Sequence, residues 1–491
     1  MQYQRYRFSV KSRRLVALGV REGTGVTVFD VVIVGARCAG APLAVMLAQR
    51  GLSVCVVDKA QFPSETPSTS AFQSNGIDVL RRIGVLDNVL AAGPYTIENA
   101  TITSTNCVFR VALDPAEYGQ SLGMRRLTMD KILIDSAVDA GADVRTGCLV
   151  EHVITENGRA VGVATRDGEI RARLVVGADG RNSTVATSVG AAEYCTHPAG
   201  RLPTWAFYEG VDPAVGFYFG TVNQGPGLGS SAYLGLPLDG CFLASVNVPM
   251  DQRSEFLADR YTNFETELAR FPALAEAVRG ATRVGPIRVM QKWHNYFRTS
   301  AGPGWVLVGD AGNFKDYSLG QGQSDAFRQA ERLSDHIERG LAQGTLDTET
   351  RQWWRWRDQD AWQMYLANCF LGEPYLPTAL ADTLFGIGAR DANAAQRFAL
   401  VFNKGVAPLR ILTARQFARV APTIVAKVVA ESRHDNMRSL RALLGMARFA
   451  AMLATQHPKS PWGARRYRPV AGRNVWMRRQ RELAVSGRDC A

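Results

Sequence analysis

The chain is poor in the residues that staple or ligate. Its eight cysteines (Cys38, Cys55, Cys107, Cys148, Cys195, Cys241, Cys369 and Cys490) are dispersed, and no two stand in Cys-x-x-Cys spacing. That pattern argues against a disulfide framework, a zinc site or an iron–sulfur cluster. Buried thiols in a reducing, cytoplasmic compartment fit better. Six histidines form no local metal pattern, so no metal is expected. No run of eighteen consecutive apolar residues occurs, and no membrane-crossing helix is expected. The opening Met-Gln-Tyr-Gln-Arg-Tyr-Arg lacks the apolar core and cleavage site of a secretory signal. Zinc-finger spacing and repeated stacking aromatics beside basic residues are also missing, and no nucleic-acid partner is expected.

What is present describes a folded chain with a large core. Hydrophobic residues make up 46% and charged residues 21% of 491 positions, a length that suits two or three domains. The net charge of +12 is concentrated. From Ile411 onward sixteen Lys or Arg face four Asp or Glu, so residues 1–410 are neutral overall. Such a tail can meet nucleic acid, an anionic membrane surface or the acidic face of a partner. A solvated, partly helical tail is the plainer reading.

Residues 1–26 read as a basic leader. The run 29–34 is short, apolar and β-branched, as a buried strand should be. A turn at 35–40, a helix at 41–50 and a second buried strand at 52–57 complete a β-α-β unit. A helix is expected over 130–140. An antiparallel meander is expected from the runs 144–153, 159–165 and 170–176. Residues 200–298 alternate aromatic and β-branched positions and read as a second sheet, interrupted by a helix at 255–278. A buried strand follows at 305–308 and a helix at 324–340. Beyond 345 the pattern is helical, with breaks at Pro374, Pro408, Pro422, Pro458 and Pro461. The fold class is thus α/β. A Rossmann-like dinucleotide domain (27–199 and 300–345) is interleaved with a mixed or antiparallel substrate domain (200–299), and a helical, basic region (346–491) follows.

The turn Gly35-Ala-Arg-Cys-Ala-Gly40 sits where strand becomes helix. A helix N-terminus offers free N–H groups and a partial positive charge, and so can hold a pyrophosphate. Gly35 permits the tight turn and Gly40 the close packing of helix on strand. Asp58, 23 residues past Gly35, ends the next strand, where a carboxylate can accept the ribose hydroxyl protons. Arg37 replaces the middle glycine of G-x-G-x-x-G; its guanidinium points away from the phosphates or adds charge to them. Two later strands repeat the logic. Leu174-Val-Val-Gly-Ala-Asp-Gly180 leaves Asp179 at a strand tip, and Trp305-Val-Leu-Val-Gly-Asp-Ala-Gly312 leaves Asp310. Gly320-Gln-Gly322 then opens a helix. In open α/β sheets ligands lie beyond the carboxyl ends of strands, so these tips can meet on one extended ligand.

With these motifs in register, residues 28–340 resemble the FAD-dependent monooxygenases of the para-hydroxybenzoate hydroxylase-like, single-component aromatic hydroxylase type. The resemblance implies FAD, with NADH or NADPH as reductant and molecular oxygen as co-substrate. It implies hydroxylation of an aromatic small molecule, phenolic or polycyclic, through a flavin C4a-hydroperoxide. Gly35 and Gly40 would hold the pyrophosphate, with Arg37 beside it, and Asp58 the ribose. Arg126, or its neighbour Arg125, would face the flavin side. Asp179 and Gly180 would hold structure around the cofactor, and Asp310 would bind the ribityl chain or pyrophosphate. Gly320 and Gly322 would let helix N–H groups approach the flavin pyrimidine edge. The family's proline before that glycine pair is absent. The stretch here is Lys315-Asp-Tyr-Ser-Leu319, with Tyr317 at the aligned position.

Candidate pocket aromatics are Trp205, Phe207, Tyr208, Phe217, Phe219 and Tyr233, each of which also suits plain core packing. His294, beside Trp293, and Tyr317 are the candidate catalytic side chains. Three other readings stand beside hydroxylation. Halogenases share the flavin motifs but typically carry a Trp-x-Trp-x-Ile-Pro sequence; Trp353-Trp-Arg-Trp-Arg357 lacks the Ile-Pro and lies too late. An isoprenoid or lipid double-bond reductase would suit the basic tail near a membrane. A basic nucleic-acid-binding or scaffold protein that retained the dinucleotide fold is the reading of another class.

Overall fold

The computed structural model describes residues 20–21, 27–225, 227–411, 413–434 and 437–456. The basic leader, apart from Val20–Arg21, and the Pro458 and Pro461 breaks lie outside the described residues. Strand Thr27–Val34 is central to the first sheet. It pairs in parallel with Val54–Asp58 on one side and Gly168–Gly177 on the other. Asp143–Thr146 and Trp305–Leu307 extend the parallel set at either end. Val31, Val32 and Ile33 are fully buried because both faces are covered, which is why the run is apolar throughout. Leu43, Leu133 and Phe327 from three helices pack one face; Val153, Val163 and Val185 cover the other.

The register decides where a site can form. Gly177 lies level with Val34 and with Leu307, and Val34 lies level with Val57. The turns leaving all four strands therefore open along one edge. The expected meander is rearranged. Gly147 adopts φ +70° and splits the run 144–153. Its first part joins the parallel sheet as Asp143–Thr146, and only Val150–Glu156 pairs with Arg159–Thr165. Gly168–Gly177 is shared: its start pairs antiparallel with Arg159–Thr165, and its end runs parallel to Trp305–Leu307.

The second sheet has seven strands, in the order Thr282–Val289, Arg201–Glu209, Phe242–Pro249, Ser230–Pro237, Phe217–Asn223, Asn99–Ser104 and Cys107–Ala112. It is antiparallel except where Phe217–Asn223 runs parallel to Asn99–Ser104. The last two strands come from within 27–199, so the chain visits this sheet once before returning to the first. The expected helix at 255–278 is three short ones, Arg253–Ala258, Arg260–Ala269 and Pro272–Ala277. Asp259 caps the second through the Thr262 N–H, and Pro272 starts the third.

The C-terminal part is helical, as Leu346–Gly372, Thr378–Gly388, Ala392–Phe402, Ala414–His434 and Arg438–Gln456. Pro374 falls between helices and Pro408 starts the short 3-10 helix Pro408–Arg410, but Pro422 lies inside Ala414–His434. It is tolerated on an exposed face, where water can satisfy the Ala418 carbonyl it leaves without an amide. Phe402 packs edge-on against Phe217 and Phe219, seating these helices on the second sheet. No helix of the described residues is long and apolar enough to cross a membrane.

Candidate functional site

The turn at Gly35 leaves no room for a side chain. Gly35 adopts φ +100°, and a Cβ there would lie 2.4 Å from the Ala178 carbonyl oxygen. A Cβ on Gly40 would lie 1.8 Å from the Gly35 carbonyl oxygen. Asp58 is buried and holds the same turn. Its carboxylate accepts from the Ala36 and Ala60 N–H groups, both at 2.8 Å.

Arg37 is turned aside by partners the glycine pattern did not disclose. It donates to Asp130 Oδ2 at 2.7 Å and to Ser64 Oγ at 2.6 Å, and lies over the Phe62 ring. Arg126 grips the same carboxylate from one helical turn away, at 2.9 and 3.0 Å. Asp130 is fully buried and carries both arginines. Against the cost of burial, Asp130 raises the Arg126 guanidinium above its ordinary value, so it stays charged. The trio keeps one net positive charge in the cavity wall. Burial pushes the neighbouring Cys38 thiol up to about 12, so it remains a thiol. The i,i+4 spacing of Arg126 and Asp130 was the legible signal.

Arg125 goes elsewhere. Its backbone N–H and Nε bond to Asp239, tying the helix start to the second sheet, and it does not line the cavity. Of the two arginines, Arg126 faces the site.

One cavity of about 570 Å³ joins these elements. Gly35, Arg37, Asp58, Arg126, Asp179, Gly180 and Asp310 line one end. Asp179 caps the helix Thr184–Ser188 together with Ser183, whose hydroxyl bonds to it at 2.5 Å. Burial raises its carboxyl above the ordinary value, with Ser183 and the Val185 amide opposing. Burial also raises Asp310, with Arg181, Lys315 and Arg126 opposing. Among the described residues the Asp310 carboxylate accepts no protein hydrogen bond; only its backbone carbonyl is used, by the Tyr296 hydroxyl at 2.6 Å. Gly320 makes its turn at φ +58°, and a Cβ on Gly322 would meet open space. Helix Gly322–Gln343 thus presents its N-terminus to the cavity.

The stretch from Lys315 to Leu319 is anchored by a buried cluster of charges. Lys315 reaches the buried Asp325 in the first turn of that helix, and Lys404 and Arg328 join it. Against burial, these cations hold the Asp325 carboxyl below its usual range. Tyr317 lines the cavity, edge-on to Trp293 at 6.0 Å, and burial raises its hydroxyl well above its ordinary value. Asn313, Gln321 and Gln323 also line the cavity, each with a buried side-chain oxygen lacking a protein partner.

The far end is the face of the second sheet bearing Pro203, Trp205, Leu234, Leu243, Ser245 and Met290. Trp205 alone of the six expected aromatics lines it. Tyr208 and Tyr233 point to the opposite face, bonding Glu265 and Glu267, and Tyr233 stacks on Phe271. Phe217 and Phe219 pack under Phe402, and Phe207 joins that core from the rim. His294 is likewise outside: it is half-exposed and bonded to Glu193 at 2.7 Å. Trp353 and Trp354 pack the long helix Leu346–Gly372 inward, bonding the Gln329 carbonyl and the Tyr194 hydroxyl.

These residues fit an extended flavin dinucleotide. The two glycines form a cradle that a Cβ would fill, Asp58 and Asp310 stand at strand tips, and the lining residues Asn313, Gln321 and Gln323 each keep a buried amide oxygen without a protein partner. Residues 28–337 match the family described as FAD binding domain. Rifampicin monooxygenase of Rhodococcus hoagii is 31% identical over 156 residues, 32% of this chain and 32% of its own length. The chain therefore aligns with about a third of that relative. Digeranylgeranylglycerophospholipid reductase of Methanosarcina acetivorans is 25% identical over 373 residues, covering 70% of this chain and 85% of its own. The solved flavin-dependent brominase Bmp2 superposes with a TM-score of 0.62 at 20% identity, covering 74% of this chain and 93% of its own. Three similar proteins carry three reaction names, so the likeness speaks to fold and cofactor and leaves the reaction to the site.

Proposed function

The chain belongs to the FAD binding domain family of flavoprotein oxidoreductases, and on that premise we propose that it is a monooxygenase acting on an uncharged aromatic small molecule, phenolic or polycyclic. NADH or NADPH supplies two electrons, one atom of molecular oxygen enters the ring and the other leaves as water. The observation that carries this reading is the single cavity linking the Gly35 turn to the Trp205 face.

FAD, when bound, supplies the electron exchange with nicotinamide and the activation of oxygen. The chain's own residues do the rest. Gly35 and Gly40 let the backbone approach the pyrophosphate, and Asp58 and Asp310 take hydroxyl groups. The Arg37–Asp130–Arg126 trio and the N-terminus of helix Gly322–Gln343 favour negative charge beside the ring system. Pro203, Trp205, Leu234, Leu243 and Met290 exclude water from the substrate. The Ser245 hydroxyl is spent on the Thr204 carbonyl at 2.7 Å and none of the side chains on this wall is charged, which favours a neutral ring. Tyr317 lines the cavity and burial keeps its hydroxyl protonated, which supports a role in bonding a substrate oxygen.

The test is anaerobic reduction of the bound flavin with NADH or NADPH, followed by ¹⁸O₂ and a panel of phenols and polycyclic aromatics. One labelled oxygen in the product supports the reading. Reduction of an alkene without oxygen, or a product that forms only with halide, overturns it in favour of a reductase or a halogenase.

A further inference from the structure

We propose that the exposed face of helix Ala414–His434 is a docking surface for an anionic lipid bilayer. At 3.6 residues per turn, Ala418, Pro422, Val425 and Val429 fall on one narrow stripe. All four are exposed, Val425 at 62% and Val429 at 47%. Val428 is buried on a different side, so the stripe is not the face that packs on the protein. Arg415, Arg419 and Arg433 are exposed along the stripe's edge. Four Lys or Arg on this helix face one acid, Glu431, whose carboxylate also accepts the Ala379 N–H at 2.9 Å, so the helix carries a net positive charge. The next helix, Arg438–Gln456, repeats the combination with Arg441, Leu444 and Arg448 on one exposed side.

Apolar side chains flanked by arginines suit the boundary between acyl chains and anionic headgroups. Charge selects this occupant over the nearer ones. The following residues, 457–491, bring nine Lys or Arg against two Asp or Glu, and so repel the arginine edge. A second copy would bring the same cations. Nucleic acid would meet the charge but gain nothing from the valines.

The test uses the full chain loaded with FAD, sedimented with phosphatidylcholine vesicles and with mixed phosphatidylcholine–phosphatidylglycerol vesicles. Binding is expected to the mixed vesicles and to weaken with salt. Val425→Glu with Val429→Glu, and separately Arg415→Glu with Arg419→Glu, should each weaken it roughly tenfold or more while flavin content and melting stay unchanged. Val425→Leu with Val429→Leu should retain it. Lys427→Glu, on the far side of the helix, should weaken it less than the arginine pair. No binding at low salt, or binding undiminished by the valine-to-glutamate pair, overturns the proposal. So does a concentration-dependent dimer that this pair abolishes, or salt-sensitive binding to duplex DNA that survives it in the absence of vesicle binding.

Discussion

Arg37 and Asp130 stand 93 positions apart in the chain, and their side chains meet at 2.7 Å. The arginine that interrupts the glycine pattern lies in the turn and is held there by a carboxylate on helix Arg126–Asp139. Arg126 shares that carboxylate, so one buried acid fixes two cations at the wall of the cavity.

Replacing Asp130 by Asn keeps the shape and removes the shared charge. Breaking a buried pair costs about 3–5 kcal/mol. Asp130→Asn should lower the urea midpoint accordingly and release flavin on gel filtration. An unchanged midpoint would mean that the arginines find other partners.

The glycines separate into two kinds. Gly40→Ala sets a Cβ 1.8 Å from a carbonyl oxygen and should yield a colourless or insoluble protein. Gly322→Ala meets open space; it should fold with a melting temperature within a few degrees of the parent, yet bind FAD more weakly. Absorbance per chain and a thermal melt read both.

Side chains in the cavity and outside it should separate in steady-state kinetics. Tyr317→Phe should lower kcat about fivefold through loss of one hydrogen bond. Trp205→Leu should raise KM about tenfold through lost apolar contact. His294→Ala and Tyr233→Phe should leave both constants near the parent values, because neither residue lines the cavity. A His294→Ala variant without turnover would place the chemistry elsewhere.

Asp316 gives a pH test with a definite sign. Burial raises its carboxyl above the ordinary value of about 3.9, while the Ser318 hydroxyl and amide and the charge of Arg201 oppose the rise. A raised acid contributes stability that is full below the unfolded value and is lost as pH rises through the folded one. The stability of the parent relative to Asp316→Asn should therefore fall as pH rises from about 4. Urea midpoints across the range give the answer; a difference that grows with pH would contradict the burial of this group.

Much of the cofactor end was legible in the chain. Glycines at a strand–helix junction, and acids at strand tips, are local features that backbone geometry demands wherever they occur. The order of strands was less legible. The hairpin Asn99–Ser104 and Cys107–Ala112 alternates like any half-buried strand, and nothing local says which sheet it joins. The substrate aromatics show the same limit. Pro203 and Trp205 face the cavity while Thr204 and Tyr208 face away, because side chains alternate along a strand. Both faces of this sheet are covered, so both carry large residues, and the sequence cannot say which face meets the cofactor.

The sequence by itself determined the parallel sheet, the glycine turn and the acids that end its strands, because each depends on neighbours a few residues away. Only the tertiary structure decided that Asp130 would serve both Arg37 and Arg126, that Arg125 would turn to Asp239, and that Trp205 would face the cavity. Those outcomes depend on which elements meet across long separations, and there burial leaves a charge no choice but the nearest counter-charge.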